Sequence, residues 1–200
     1  MKTQSKQQTP PSSLHKYAED NLRYIRATME SSTVFTGVSG KGYVAAGASA
    51  LIAAWIAAQQ TTDAAWLAVW MIELLLGAGI AFFLTAKKAR ALGSSVWSSS
   101  GRKLLLAFLP AMAVGGMLTL AFYLRDTISL LPGIWLSIYG AATMTAGLWS
   151  IRIIPLMGAV FLALGAIVIF TGVSADLMLA SGLGGVHIVF GILIWRKYGG

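Results

Sequence analysis

The chain contains no cysteine, and of its 200 residues only seven are acidic and two are histidine. Missing thiols exclude a disulfide framework, a cysteine-ligated metal centre and thiol catalysis. The small stock of carboxylates and imidazoles leaves little from which to build a metal cage. Charge of either sign is scarce: 11% of the residues are Asp, Glu, Lys or Arg, where a soluble domain carries roughly a quarter. The chain is instead 56% hydrophobic. So apolar a polymer cannot stay solvated as a disordered coil, and a water-soluble globule would lack a charged surface.

What is present is a series of long apolar runs. Crossing a hydrocarbon core takes ~20 predominantly apolar residues per helix, and six stretches meet that need: residues 42–58, 66–86, 104–124, 133–149, 155–173 and 177–194. The expected fold class is therefore all-α, a polytopic membrane protein with a bundle of six transmembrane helices in residues 42–200, preceded by a cytoplasmic arm in residues 1–41. The connections are short and leave no space for a soluble catalytic domain. Residues 1–41 also hold no apolar run of the kind a signal peptide needs.

Orientation follows from the basic residues, which gather on the cytoplasmic side of membrane proteins. With six spans, all 15 Lys and Arg residues except Arg125 fall on the side of the two termini. Both termini are accordingly expected in the cytoplasm, and short loops with this bias suit the cell membrane of a bacterium. The net charge of +8 flanks apolar blocks rather than forming a basic face with stacking aromatics, so nucleic acid is not an expected partner. The expected partners are the lipid bilayer and a second copy or another membrane protein. Trp55, Trp66, Trp135, Trp149 and Trp195 fall near span ends, where indoles favour the interface.

Within the arm, Met1 to Ser13 reads as an extended polar lead, and Ser31 to Lys41 as a loop into the first span. Between them, Leu14, Ala18, Leu22, Ile25 and Met29 recur at the spacing of one helix face. An amphipathic helix over about residues 14–30 is expected, with Arg23 and Arg26 beside its apolar stripe. Leu22, Ile25, Met29, Arg23 and Arg26 are the candidate contacts to a membrane surface or a partner protein.

Catalytic motifs are absent. No phosphate-binding Walker loop, no H-E-x-x-H and no paired-carboxylate constellation occurs, and no cofactor is implied. Gly37-Val38-Ser39-Gly40 has a form that can surround a nucleophilic serine, yet Ser39 precedes the first span. Ser181 lies six residues from His187 on one helix, roughly 9 Å of rise, beyond the ~3 Å reach of a serine–histidine pair. The chain is not expected to be an enzyme.

Two residues break the apolar pattern. Among the six spans, Glu73 and His187 are the groups that titrate near neutral pH. A charge at the bilayer centre costs at least ~2.5 kcal/mol, and such residues face the bundle interior and mark a path for ions or solute. Counting from the outer ends of their spans places Glu73 about 10 Å deep and His187 about 15 Å deep, close enough to meet if their helices are neighbours. Span four adds hydroxyls, with Ser137 and Thr145 as candidate solute contacts. Repeats of small residues at Gly42, Ala46, Ala50, Ala54 and Ala58, and at Gly133, Ser137, Ala141 and Thr145, allow close helix packing.

The functional expectation is translocation of a small solute or ion, with proton coupling through Glu73 and His187. The alternative is a non-catalytic membrane anchor or regulator acting through the arm. Orientation is directly testable. Single cysteines at Thr62 and Asp176 should react with an impermeant thiol reagent added to intact cells, and one at Ser98 should be protected. Labelling at Ser98 would reverse the assignment.

Overall fold

The computed structural model describes residues 12–32 and 34–199, and those residues are helical apart from their connections. The helices are α1 (Ser12–Ser32), α2 (Gly40–Ala57), α3 (Asp63–Ala91), α4 (Ser99–Tyr123), α5 (Leu131–Gly147), α6 (Ile153–Thr171), α7 (Ala175–Leu179) and α8 (His187–Tyr198). A short 3₁₀ turn, Ile128–Leu130, leads into α5, and a π-helical segment, Ala180–Val186, joins α7 to α8. Five of these stretches are long and apolar enough to cross a membrane: Asp63–Ala91, Ser99–Tyr123, Ile128–Gly147, Ile153–Thr171 and Ala175–Tyr198. The helix α2 is not among them, being dominated by glycine and alanine.

The chain divides into two compact units, residues 1–33 and 34–200. In the first, α1 carries its own surface pairs, His15 with Glu19 at 3.2 Å and Arg23 with Asp20 at 3.9 Å. Residues 1–11 of the expected extended lead, and the side chains of Arg26 and Met29, lie outside the described residues.

Local chemistry sets the helix starts in the second unit. The side chains of Ser39, Thr62, Ser98 and Ser174 accept from the backbone N–H three residues on, at Gly42, Ala65, Gly101 and Leu177, satisfying donors that the first turn leaves open. Ser39 is thus an N-cap, held further by its own N–H donating to Thr85 Oγ1 at 3.3 Å. Pro132 opens α5, where the missing N–H costs nothing. Gly172, with φ +67°, ends α6 in the left-handed conformation. The segment expected as a plain loop before α2 is ordered by pairing: Phe35 N–H donates to Trp149 O at 2.8 Å and Ser150 Oγ donates to Phe35 O at 2.9 Å.

Packing runs through glycine at intervals of seven. In α5, Gly133, Gly140 and Gly147 face Gly165, Gly158 and Pro155 of antiparallel α6. In α2, Gly40 and Gly47 face Gly191 and Gly184 in and beside antiparallel α8. A seven-residue repeat keeps one seam in contact only if the helices wind gently round one another with a left-handed twist. On α2 the glycine seam lies beside the four-residue stripe that the sequence suggested, not on it. Gly42 and Ala46 face α3, against Leu84 and Gly77, while Gly47 faces the π-helical segment and α8. Outside these seams, α3 packs chiefly on α2, and α4 chiefly on α5.

Polar contacts mark the two ends of the bundle. At one end, Lys88 Nζ donates to Val38 O, Tyr198 O and Gly199 O at 2.9, 2.8 and 2.7 Å, while Lys41 lies over Trp195 and Lys103 over Trp149. At the other, Trp66 Nε1 donates to Asp176 Oδ1 at 2.9 Å, Trp66 stacks on Trp135, and Trp135 Nε1 donates to Thr119 Oγ1 at 2.9 Å.

Close backbone approach makes a sharp stability test. A Cβ at Gly140 would stand 2.6 Å from Leu162 N and 2.7 Å from Gly158 O, both main-chain atoms that cannot swing aside. Gly140→Ala should therefore lower stability in detergent unfolding by about 1–3 kcal/mol, the usual cost of overpacking. At Gly116 a Cβ meets nothing within 4 Å, and Gly116→Ala should stay within about 1 kcal/mol of the parent.

Candidate functional site: two separated polar islands

Glu73 lies nearly three turns into α3, on the face turned to α2, and is 7% exposed. Its Oε1 is 2.8 Å from Ser49 Oγ, and that hydroxyl is also 2.8 Å from Ala46 O. A hydroxyl has one proton and a carbonyl can only accept. Both contacts are hydrogen bonds at once when Glu73 is the acid, donating to Ser49 Oγ while Ser49 donates to Ala46 O. When Glu73 is ionised, Ser49 turns its proton to the carboxylate, and Ala46 O keeps its place in the helix ladder. Ser49 thus serves Glu73 in either protonation state.

Beside this pair a groove of about 280 Å³ lies between α2 and α3. Its walls are Ile52, Ala53 and Ile56 of α2 and Val69, Ile72 and Leu76 of α3, with Ser49 and Glu73 as its polar lining. Ile52 and Ile72 are 61% and 67% exposed, so the groove opens on the outer apolar surface of the bundle.

His187 is the first residue of α8, directly after the π-helical segment, and is 8% exposed. A π-turn offsets the i→i−4 ladder, and such segments recur at functional positions. Its Nδ1 lies 2.9 Å from Leu183 O, and its Nε2 lies 2.8 Å from Tyr139 OH. The carbonyl only accepts, so Nδ1 carries the proton. In the neutral ring, Tyr139 then donates to Nε2. Tyr43 stacks on the ring at 5.5 Å, and Phe161 meets it edge-on at 5.1 Å. Adding a proton would force Nε2 to donate to Tyr139 and leave the phenol proton to find another acceptor. The His187 network is consequently set in one direction, unlike the Glu73 pair.

The structure does not bring Glu73 and His187 together. Each has its own hydroxyl partner, and among the described residues no hydrogen bond or ion pair joins them. The two islands nevertheless share a depth, since Glu73 bonds to Ser49 while His187 packs on Gly47. Two residues along a helix are about 3 Å of rise and about 200° of rotation. Glu73 and His187 stand at one level on opposite sides of α2.

The span-four candidates are bound to backbone. Ser137 Oγ donates to Gly133 O at 2.7 Å beside Gly165. Thr145 Oγ1 lies within reach of the Ala141 and Ala142 carbonyls of its own helix and of Ala107 O in α4, at 3.0, 3.0 and 3.2 Å. Of the arm residues, Leu22, Ile25 and Arg23 are exposed on α1. Sequence reading left out Ser49 and Lys88. Ser49 was hidden in a helix of small residues, though a buried carboxyl demands a partner. By sequence Lys88 reads as one more basic flank, whereas it is 8% exposed and ties α8 to the segment before α2. No group of three or more metal-binding side chains occurs among the described residues.

Compared with models of protein families, with curated proteins and with solved structures, the chain matches none.

Separation of the islands has a thermodynamic signature. Glu73→Gln and His187→Gln should lower stability additively, within about 0.5 kcal/mol, while Tyr139→Phe and His187→Gln should show a coupling of about 0.5–3 kcal/mol. Double-mutant cycles in bicelles measure both. Coupling between positions 73 and 187 of the size found for 139 and 187 would contradict the geometry.

Proposed function

We propose that the chain is a six-span protein of the cell membrane, with both termini cytoplasmic, that moves protons or a small proton-coupled solute across the bilayer. In this reading α2 is the first span and brings the number to six. The bundle's two ends support it: the start of α2, the ends of α3 and α8, the start of α4 and the α5–α6 connection gather at the end rich in Lys, Arg and indole contacts. The glycine and alanine that lower the apolarity of α2 are what its double packing requires.

The observation that carries translocation is the Glu73–Ser49 pair. A carboxyl within an apolar bundle is costly as an ion, and it is retained where it does work. Here the partner hydroxyl accepts from the acid and donates to the carboxylate, so a proton can be taken up or lost with the pairing kept. His187 and Tyr139 act in this scheme as positioning residues that fix α8 against α5.

Proton flux into liposomes holding the purified protein and a pH-sensitive dye tests the proposal. The parent protein should dissipate an imposed pH gradient faster than empty liposomes, and Glu73→Gln should return the rate to the empty level. An unchanged rate in Glu73→Gln, or a parent rate equal to that of empty liposomes, would refute it.

A further inference from the structure

We infer that the groove between α2 and α3 is a binding site for a lipophilic organic cation, which enters sideways from the lipid and exchanges with the Glu73 proton. The inference rests on the proposed proton site and names what competes with the proton there. Three features select that class. Glu73 is the single ionisable residue lining the groove, so its one available electrostatic attraction is for positive charge. The walls are aliphatic and the mouth lies between the exposed side chains of Ile52 and Ile72, so a ligand must bring apolar surface of its own and can arrive from the acyl chains. Side-chain oxygens in the lining come from Glu73 and Ser49 alone, too few to replace the water shell of a hard metal ion, which takes about six oxygens. A cation whose charge is spread over an organic frame loses far less hydration on entry. The volume of about 280 Å³ is near the lower end of small-molecule pockets, roughly 300–1,000 Å³, and suits one compact ligand with part of its surface left in lipid.

The exchange balances simply. The carboxylic O–H of Glu73 breaks, its proton leaves to water, and the carboxylate pairs with the arriving cation while Ser49 donates to the free charge. No bond to carbon forms, and nothing is oxidised or reduced.

Tetraphenylphosphonium binding to the full chain in lipid nanodiscs provides the test, read as equilibrium binding above that of empty nanodiscs together with proton release in weakly buffered medium. Saturable binding is expected, with one proton released per cation and, on the acid side of the Glu73 titration, a Kd that rises about tenfold for each unit of falling pH. Glu73→Gln should abolish both signals. Ile72→Trp, which fills the groove from its exposed wall and keeps the carboxyl, should abolish cation binding with the melting temperature unchanged, so that the result holds even if Glu73→Gln folds poorly. Absence of saturable binding to the parent, or equal binding by Glu73→Gln, overturns the inference. A changed oligomeric state in Ile72→Trp assigns the groove to a second copy and overturns it as well. Proton flux in the liposome assay without cation binding removes the cation and keeps the proton reading, whereas cation binding with proton release and no flux removes translocation and keeps the site.

Discussion

Backbone-to-backbone contact at glycine is what the bundle rests on. Lipid is as apolar as the side chains, so burial in hydrocarbon gives helices little reason to associate; dispersion across a tight interface must do it. Glycine at seven-residue intervals in α5 and α2 brings carbonyl and amide groups of the facing helix to within the space a Cβ would occupy. Two antiparallel pairs result, α5 with α6 and α2 with α8, and the larger side chains Leu136, Met157 and Phe161 fill the core beside them. The remaining helices hang on this frame, α4 on α5 and α3 on α2.

That frame decides what the polar groups can do. Because α2 is slim, it can lie between α3 and α8 and present a glycine to His187 on one side and a serine to Glu73 on the other. The consequence is two chemistries at one depth. His187 sits among Tyr43, Tyr139 and Phe161 with both ring nitrogens committed, a rigid bond between α8 and α5. Glu73 sits at the edge of an open apolar groove with a partner that tolerates loss of its proton. A committed network thus stands on one side of α2 and a carboxyl that can keep its partner in either protonation state on the other.

The end rich in basic residues shows a related economy. Lys88 is buried and spends its donors on the carbonyls of Val38, Tyr198 and Gly199. The last carbonyls of a helix have no intrahelical donors and carry partial negative charge, so a cation there is favoured twice. One side chain from α3 thereby closes α8 and fastens the strand-like segment that leads into α2.

Composition and the lengths of the apolar runs were enough to determine that the chain is all-helical and built for a membrane, since a bilayer demands long apolar helices and the sequence prints them directly. The relative level of Glu73 and His187 was not legible: counting from the span ends sets them about 5 Å apart, whereas they stand level across α2, with a π-helical segment interrupting the regular rise just before His187. Which helices are neighbours was not legible either: rise says nothing of azimuth, and α2, which is not among the five helices apolar and long enough to cross a membrane, gave no sign that it would separate α3 from α8. Partner choice followed from that placement. Ser49 rather than His187 meets Glu73 and Tyr139 meets His187, while Ser137 and Thr145, the candidate solute contacts, bond back to carbonyls one turn away in their own helix. Only the tertiary structure sets those distances, through glycine seams whose seven-residue period was present in the sequence but whose facing partners were not.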